Sequence, residues 1–352
     1  MTKATSIIKK FRKYYSMYSE YMTLKKKIAG TSPNIYLFGT PNHSNMGDQA
    51  QTYCIINWMN KNYPEHTVHT FYLKNSTNRI LQYLRKNINK EDKIFCHSGY
   101  HLTNLYDEQR IYSQLVRMFP DFPIVIFPQT INYTLPEAAR ETAALFNNHK
   151  NLTILCRDEV SFKTAQTLFN KCHLLLYPDV VTSLIGTKQF NHERNGILFC
   201  IRNDKEAFYN PEQISGLRKR IEQFDTVSMT DTTISLPASE IMNNREKILN
   251  GIFEDYSKYK LIITDRYHGT IFSLIAGTPV IVLSSSDHKL SSGVKWFPPE
   301  FSDYVRYATS LDEAFQFSEL ALNKELNHRL PAYFLENYWN VLKQRINHPN
   351  SH

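Results

Sequence analysis

Apolar and polar positions along this chain fall into two alternating textures. Short runs rich in Ile, Leu, Val, Phe and Tyr alternate with longer stretches in which apolar residues return every three or four positions. The first texture reads as strands buried on both faces, the second as amphipathic helices. Strands are predicted at 34–40, 68–73, 93–99, 123–130, 152–158 and 173–179, with helices near 47–61, 77–88, 107–118, 135–148 and 158–169. Residues 184–195 (LIGTKQFNHERN) carry no apolar period and read as a linker. The alternation then resumes, with strands at 196–202, 226–231, 259–265 and 278–283 and helices near 211–224, 238–255, 269–276, 311–324 and 331–346. Such alternation argues for an α/β chain with parallel sheets covered on both faces. The expected organisation is an N-terminal helix over 1–30, a first α/β domain over 31–184, a linker over 185–195, a second α/β domain over 196–346 and a tail over 347–352. Open parallel sheets bind ligands beyond the carboxyl ends of their strands, so the cleft between the domains is the expected site.

Composition narrows the class. A length of 352 residues suits two domains, and 42% hydrophobic with 21% charged residues excludes a disordered or fibrous chain. No apolar run approaches the ~20 residues of a membrane span, and the N-terminus lacks the apolar core of a secretory signal. The five cysteines are odd in number and none pair at C-x-x-C spacing, which reads as reduced thiols in a cytoplasmic protein.

The net charge of +8 is lopsided. Residues 1–30 hold eight lysines and arginines against one acid, Glu20, so +7 of the total sits there and the body is nearly neutral. Nucleic-acid binding needs cations spread over a surface and is not expected. In the same segment Ile7, Ile8, Phe11, Tyr14, Tyr15, Tyr18, Tyr21 and Met22 recur at helical steps. A basic helix with such a stripe either lies on an anionic membrane surface or packs its stripe on the protein's own core.

The segment richest in chemistry is KLIITDRYHGTIFSLIAGTPVIVL (260–283), where an apolar strand runs into Thr264-Asp265-Arg266-Tyr267-His268 and Gly269 opens an apolar helix. If strand geometry persists to His268, Arg266 and His268 share one face, beside a helix N-terminus with free N–H groups. This suits phosphate recognition; the alternative is that Arg266 pairs with a carboxylate and His268 caps the helix.

Here the chain resembles the polysaccharide pyruvyl transferase family. The likeness rests on segments in order: NMGDQA (45–50), HSG (97–99), FPQT (127–130), CRDEVSF (156–162), YPD (177–179) and TDRYHG with the following GTP (264–279). It implies two Rossmann-like domains in a GT-B-like arrangement. It also implies transfer of a pyruvyl group from phosphoenolpyruvate to two hydroxyls of a sugar in a polysaccharide or lipid-linked glycan. The product would be a ketal, with phosphate released and no metal or organic cofactor. Two departures, Ser98-Gly99-Tyr100 after the third strand and Tyr267 inside the Arg-x-His signature, bear on the shape of the acceptor side.

For that chemistry His268 is the candidate general acid and Arg266 the phosphate ligand, with the Gly269 and Thr270 N–H groups completing the cradle. Arg202 and Arg157, each ending a strand, are further ligands for phosphoenolpyruvate, unless neighbouring acids neutralise them. Asp48 is read as a base or hydroxyl partner, or else as a helix cap. Asn45, Gly47, His97 and Gln129 are read as lining the acceptor side. A nucleotide-sugar glycosyltransferase of GT-B type is the alternative function. Contact with an anionic membrane through residues 1–30 would bring the protein to a lipid-linked acceptor.

Overall fold

The computed structural model describes residues 15, 18, 19, 21–29, 33–204, 207–285, 288–326 and 328–347. Ile7, Ile8, Phe11 and Tyr14 of the N-terminal stripe lie outside the described residues. Helix α1 (21–29) buries Ile28 and packs Tyr21 and Leu24 against the first domain's core, while Tyr15, Tyr18 and Met22 are exposed. Part of the stripe thus packs on the protein's own core, and part of it is exposed.

The first domain is a parallel sheet of β1 (Asn34–Phe38), β2 (Thr67–Phe71), β3 (Lys93–Cys96), β5 (Ile124–Ile131), β6 (Leu152–Cys156) and β7 (His173–Leu176), in the spatial order β2-β1-β3-β5-β6-β7. Strands β1, β5 and β6 are buried at every residue, and each is mostly apolar, as a strand covered on both faces requires. A short β4 (Gly99–Leu102) branches from the end of β5. The second sheet has the order β12-β11-β10-β8-β9, from β8 (Ile197–Cys200), β9 (Val227–Thr230), β10 (Leu261–Thr264), β11 (Val280–Leu283) and β12 (Val305–Ala308). Each sheet has one point where the chain turns back on its order: between β1 and β3 in the first, and between β8 and β10 in the second. Those are the crevices in which such sheets bind ligands.

Helices α2 (Met46–Asn62), α6 (Glu159–Leu168), α8 (Ala238–Tyr256) and α9 (Tyr267–Ile275) position the site. The two halves are stitched at its floor. Met46 N donates to Thr232 O at 2.8 Å, Ile234 N donates to Ser44 O at 3.2 Å, and Asn45 bridges Thr233. One apolar core runs beneath both domains, joining Leu37 and Phe127 to Leu198 and Ile262. The end of the chain also returns to the first sheet: Trp339 stacks on Phe127, and its carbonyl accepts from Trp58 Nε1 at 2.9 Å.

Three elements differ from the sequence pattern. Strands β4 and β12 were not expected, because GYHL and VRYA are only partly buried and lack an apolar run. The predicted helix over 331–346 is instead a π-turn (Leu335–Trp339) followed by a short α12 (Leu342–Asn347). Strand β10 ends at Thr264 and α9 begins at Tyr267, so Arg266 is the helix N-cap residue and strand geometry does not reach His268.

Candidate active site

The cleft at the two crevices encloses about 470 Å³. Its walls include His268, Arg266, Arg202, Arg157, Asp48 and Asn45, so six residues singled out from the sequence meet there.

His268 sits in the first turn of α9, with Nε2 at 3.5 Å from Asp179 Oδ2. Its ring lies against Gly47 so closely that a methyl group there would run into it. Gly47 thus acts as the gap that admits the imidazole rather than as an acceptor contact. Asp179 was not singled out as a site residue. It is fully buried and accepts from Gln51 Nε2 at 2.6 Å, Arg157 NH1 at 3.3 Å and Val181 N at 3.0 Å. Burial alone would raise its pKa, but the charges of His268 and Arg157 with these hydrogen bonds outweigh that and hold it well below the usual carboxylate range. Arg157 therefore pairs with Asp179 rather than with Asp158 or Glu159. Asp158 instead caps α6, accepting from Ser161 N at 2.8 Å.

On the second domain, Arg266 grips Asp231 with two prongs, Nε and NH2 each donating at 2.7 Å. Its third nitrogen, NH1, lies 3.0 Å from Asp204 Oδ2, while Arg202 Nε lies 3.1 Å from Asp204 Oδ1. The fork is thus held by Asp231, so Arg266 does pair with a carboxylate, the alternative read from the sequence, and the outer edge of Arg266 shares a second carboxylate with Arg202. Asp265 accepts from Arg202 N at 2.8 Å, and burial pushes its pKa up to about 6.

The helix-end cradle differs from expectation. Thr270 N donates to Arg266 O at 3.0 Å, forming the first bond of α9, so it is not open to a ligand. Gly269 is buried against Thr264 and Cys200, where a side chain would collide, so its smallness lets the helix pack on β8 and β10.

On the first domain, Asn45 is the cap of α2, its Oδ1 accepting from Gly47 N at 2.9 Å. Asp48 is not the cap; it lies in the first turn, 3.6 Å from His43 Nε2, at the edge of the cleft. His97 is fully buried, with Nε2 at 2.9 Å from Thr52 Oγ1 and Nδ1 at 2.6 Å from Ser98 O. Gln129 donates to His97 O at 2.6 Å and accepts from His101 N at 3.0 Å. Neither lines the main cleft: both brace the strand ends behind it, where burial leaves no unbonded polar group without cost.

Two parallel sheets facing across a ligand cleft, each with its crevice at the strand ends, place the chain in the GT-B-like class. The family profile of the polysaccharide pyruvyl transferases matches residues 45–288, and the chain belongs to that family. General stress protein 30 of Bacillus subtilis (strain 168) is 28% identical over 312 residues, covering 82% of this chain and 88% of that protein. Pyruvyl transferase 1 of Schizosaccharomyces pombe is 24% identical over 293 residues, covering 77% and 69%. The solved UDP-GlcNAc 2-epimerase of Methanocaldococcus jannaschii superposes with a TM-score of 0.53 at 10% identity, covering 88% of this chain and 98% of that one. That last likeness concerns the fold alone. No helix among the described residues is long and apolar enough to cross a membrane.

Proposed function

We propose that this protein transfers a pyruvyl group from phosphoenolpyruvate to two hydroxyls of one sugar in a polysaccharide or lipid-linked glycan precursor, forming a cyclic ketal and releasing phosphate. The observation that carries the reading is the shared hold of Arg202 and Arg266 on one carboxylate, Asp204, in the same cleft as His268. Phosphoenolpyruvate carries its carboxylate and its phosphate ester on the same carbon, C2, and one of them takes the place of Asp204 between the two guanidinium groups. His268, when protonated, delivers its proton to C3, which leaves C2 cationic and open to an acceptor hydroxyl. Asp179 holds the ring in position and Arg157 holds Asp179. Asp48 faces the acceptor as a hydrogen-bond partner. A second hydroxyl of the same sugar then bonds to C2 as the C2–O bond to phosphate breaks. No metal or organic cofactor takes part.

In this reading the protein works in the cytoplasm, and residues 1–30 bring it to the anionic inner face of the membrane, where a lipid-linked acceptor is held. Residues Tyr15, Tyr18 and Met22 support this, since they stay exposed beside Lys25 and Lys26. Anionic vesicles should then capture the full chain at low salt and lose it at high salt. Capture that is equal on neutral vesicles contradicts the membrane role alone.

The test of the reaction is incubation with phosphoenolpyruvate and candidate glycans, read by mass spectrometry and phosphate release. Pyruvylated glycan in step with phosphate supports it. Transfer from a nucleotide sugar with none from phosphoenolpyruvate points to a glycosyltransferase instead.

A further inference from the structure

A second cavity of about 150 Å³ opens behind the cleft, past the ends of β1 and β2. It shares His43, Asp48, His101 and Glu108 with the main cleft, so the two spaces are continuous in their walls. Thr40 lines it, is only 5% exposed, and its Oγ1 has no hydrogen-bond partner among the described residues. A buried hydroxyl left unpaired is uncommon and costs stability unless a ligand completes it.

His101, on β4, stands where the two spaces meet. Its backbone N–H donates to Gln129 Oε1 at 3.0 Å. Its Nδ1 lies 2.8 Å from Tyr112 Oη, and that hydroxyl lies 2.9 Å from the carbonyl oxygen of His97. A carbonyl oxygen only accepts, so the one proton of Tyr112 is committed to it. The Nδ1 must then supply the hydrogen of its own bond, which fixes the tautomer and leaves a bare lone pair on Nε2. Nε2 forms no hydrogen bond among the described residues. Gly99, at φ +139°, leaves room beside it: a Cβ there would stand 3.3 Å from Nε2. Burial first, then the nearby His43 and Arg157, pushes the pKa of the ring down to about 3, so the lone pair is present throughout the neutral range.

We infer that His101 Nε2 takes the proton of the attacking acceptor hydroxyl, and that the side cavity seats the sugar ring bearing it. The inference rests on the pyruvyl-transfer reading above. As His268 protonates C3, the first hydroxyl oxygen bonds to C2 and carries three bonds. Such an oxonium is a strong acid, so even a desolvated imidazole accepts its proton. The second hydroxyl then bonds to C2 while the C2–O bond to phosphate breaks. Its proton restores His268, and the proton on His101 departs with the phosphate. One proton therefore ends on carbon and one on phosphate, in balance with the two hydroxyls consumed. On this account Thr40 Oγ1 bonds a ring hydroxyl that does not react.

The experiment compares the full-length wild type with His101→Gln, Tyr112→Phe and Thr40→Val. The probes are phosphoenolpyruvate and a panel of methyl glycosides of glucose, galactose, mannose and N-acetylmannosamine. Acceptor kinetics are read by phosphate release, and phosphoenolpyruvate binding by calorimetry. His101→Gln should lower kcat/KM for the acceptor by roughly 10²-fold or more, with phosphoenolpyruvate affinity unchanged. Tyr112→Phe, which frees the tautomer, should lower kcat by a smaller factor. Thr40→Val should raise the acceptor KM by about fivefold, the worth of one neutral hydrogen bond. The inference is overturned if folded His101→Gln keeps the wild-type acceptor kcat/KM, or if it loses phosphoenolpyruvate affinity by the same factor as activity. A wild type that pyruvylates none of the panel, nor polysaccharide, from phosphoenolpyruvate sinks the proposed function instead.

Discussion

The two sides of the cleft are built differently. The second-domain rim is ionic: Arg202, Asp204, Asp231, Asp265 and Arg266 lie within one network of charged contacts. The first-domain side sets Asp48, Glu108 and Arg157 on the cleft wall beside His101, and behind them His97, Gln129 and Tyr112 extend His101 into a neutral, buried hydrogen-bonded lattice, where burial pushes both imidazoles' pKa down to about 3. Charge suits an anionic donor, and a neutral lattice of donors and acceptors suits the hydroxyls of a sugar. His268, on the second domain, reaches across to Asp179 of the first and so stands on the boundary. The proposed division of labour, donor on the second domain and acceptor on the first, rests on that contrast.

The comparison breaks most sharply at that boundary. His268→Ala should cut turnover by roughly 10²–10⁴-fold with the fold retained. Near-normal turnover in a folded protein removes His268 from the chemistry. Asp179→Asn comes next, because it leaves buried Arg157 without its compensating charge. About 3 kcal/mol of stability should be lost, along with most activity, measured by denaturant melts and phosphate release. A variant as stable as the wild type means that Arg157 finds another partner.

The buried histidines of the first domain have a pH signature. His69, His97 and His101 titrate at about 4, about 3 and about 3 in the folded state, against about 6.5 when unfolded, with burial as the main cause. Their folded values are depressed, so as pH falls below 6.5 the unfolded chain takes up protons that the native one refuses. Stability should drop by up to about 1.4 kcal/mol per pH unit for each histidine. Asp265, raised to about 6, works the other way: its share is present below the unfolded carboxylate value and is lost as pH rises through 6. Urea melts between pH 7 and 4.5 should show a net loss toward acid, since three histidines outnumber one aspartate. A flat profile contradicts histidines kept neutral by burial.

The smallest expected effect sharpens the ionic rim. Asp204 is partly exposed, so its ion pairs are worth at most about 1 kcal/mol. Asp204→Ala should tighten phosphoenolpyruvate by up to about fivefold, because the anion no longer displaces a carboxylate. Weaker binding places the anion elsewhere.

What the sequence shows and hides follows the same division. The buried parallel strands were legible because a strand covered on both faces has no choice but an apolar run, as in NIYLF and IVIFPQTI. Arg266, His268, Arg202, Arg157 and Asp48 were legible because each follows a strand end, and strand ends converge in this fold. Their partners were not, since Asp179 and Asp231 reach His268 and Arg266 from distant elements and a single sequence carries no signal of pairing. Gly47 and Gly269 looked like ligand contacts, yet each is small because another group lies against it. His101 was hidden on β4, whose GYHL pattern reads as loop; the only cue was a second histidine shortly after His97.

The central claim is that the ionic rim holds phosphoenolpyruvate through Arg202 and Arg266 together. Calorimetric titration of phosphoenolpyruvate into the wild type, Arg202→Lys and Arg266→Lys tests it most directly. The account predicts clear binding to the wild type and strong loss in both variants, because a lysine offers one point of charge, whereas Arg266 holds Asp231 with two nitrogens and still turns a third toward the anion. Full binding by either lysine variant, or equal binding of a UDP-sugar in place of phosphoenolpyruvate by the wild type, contradicts it.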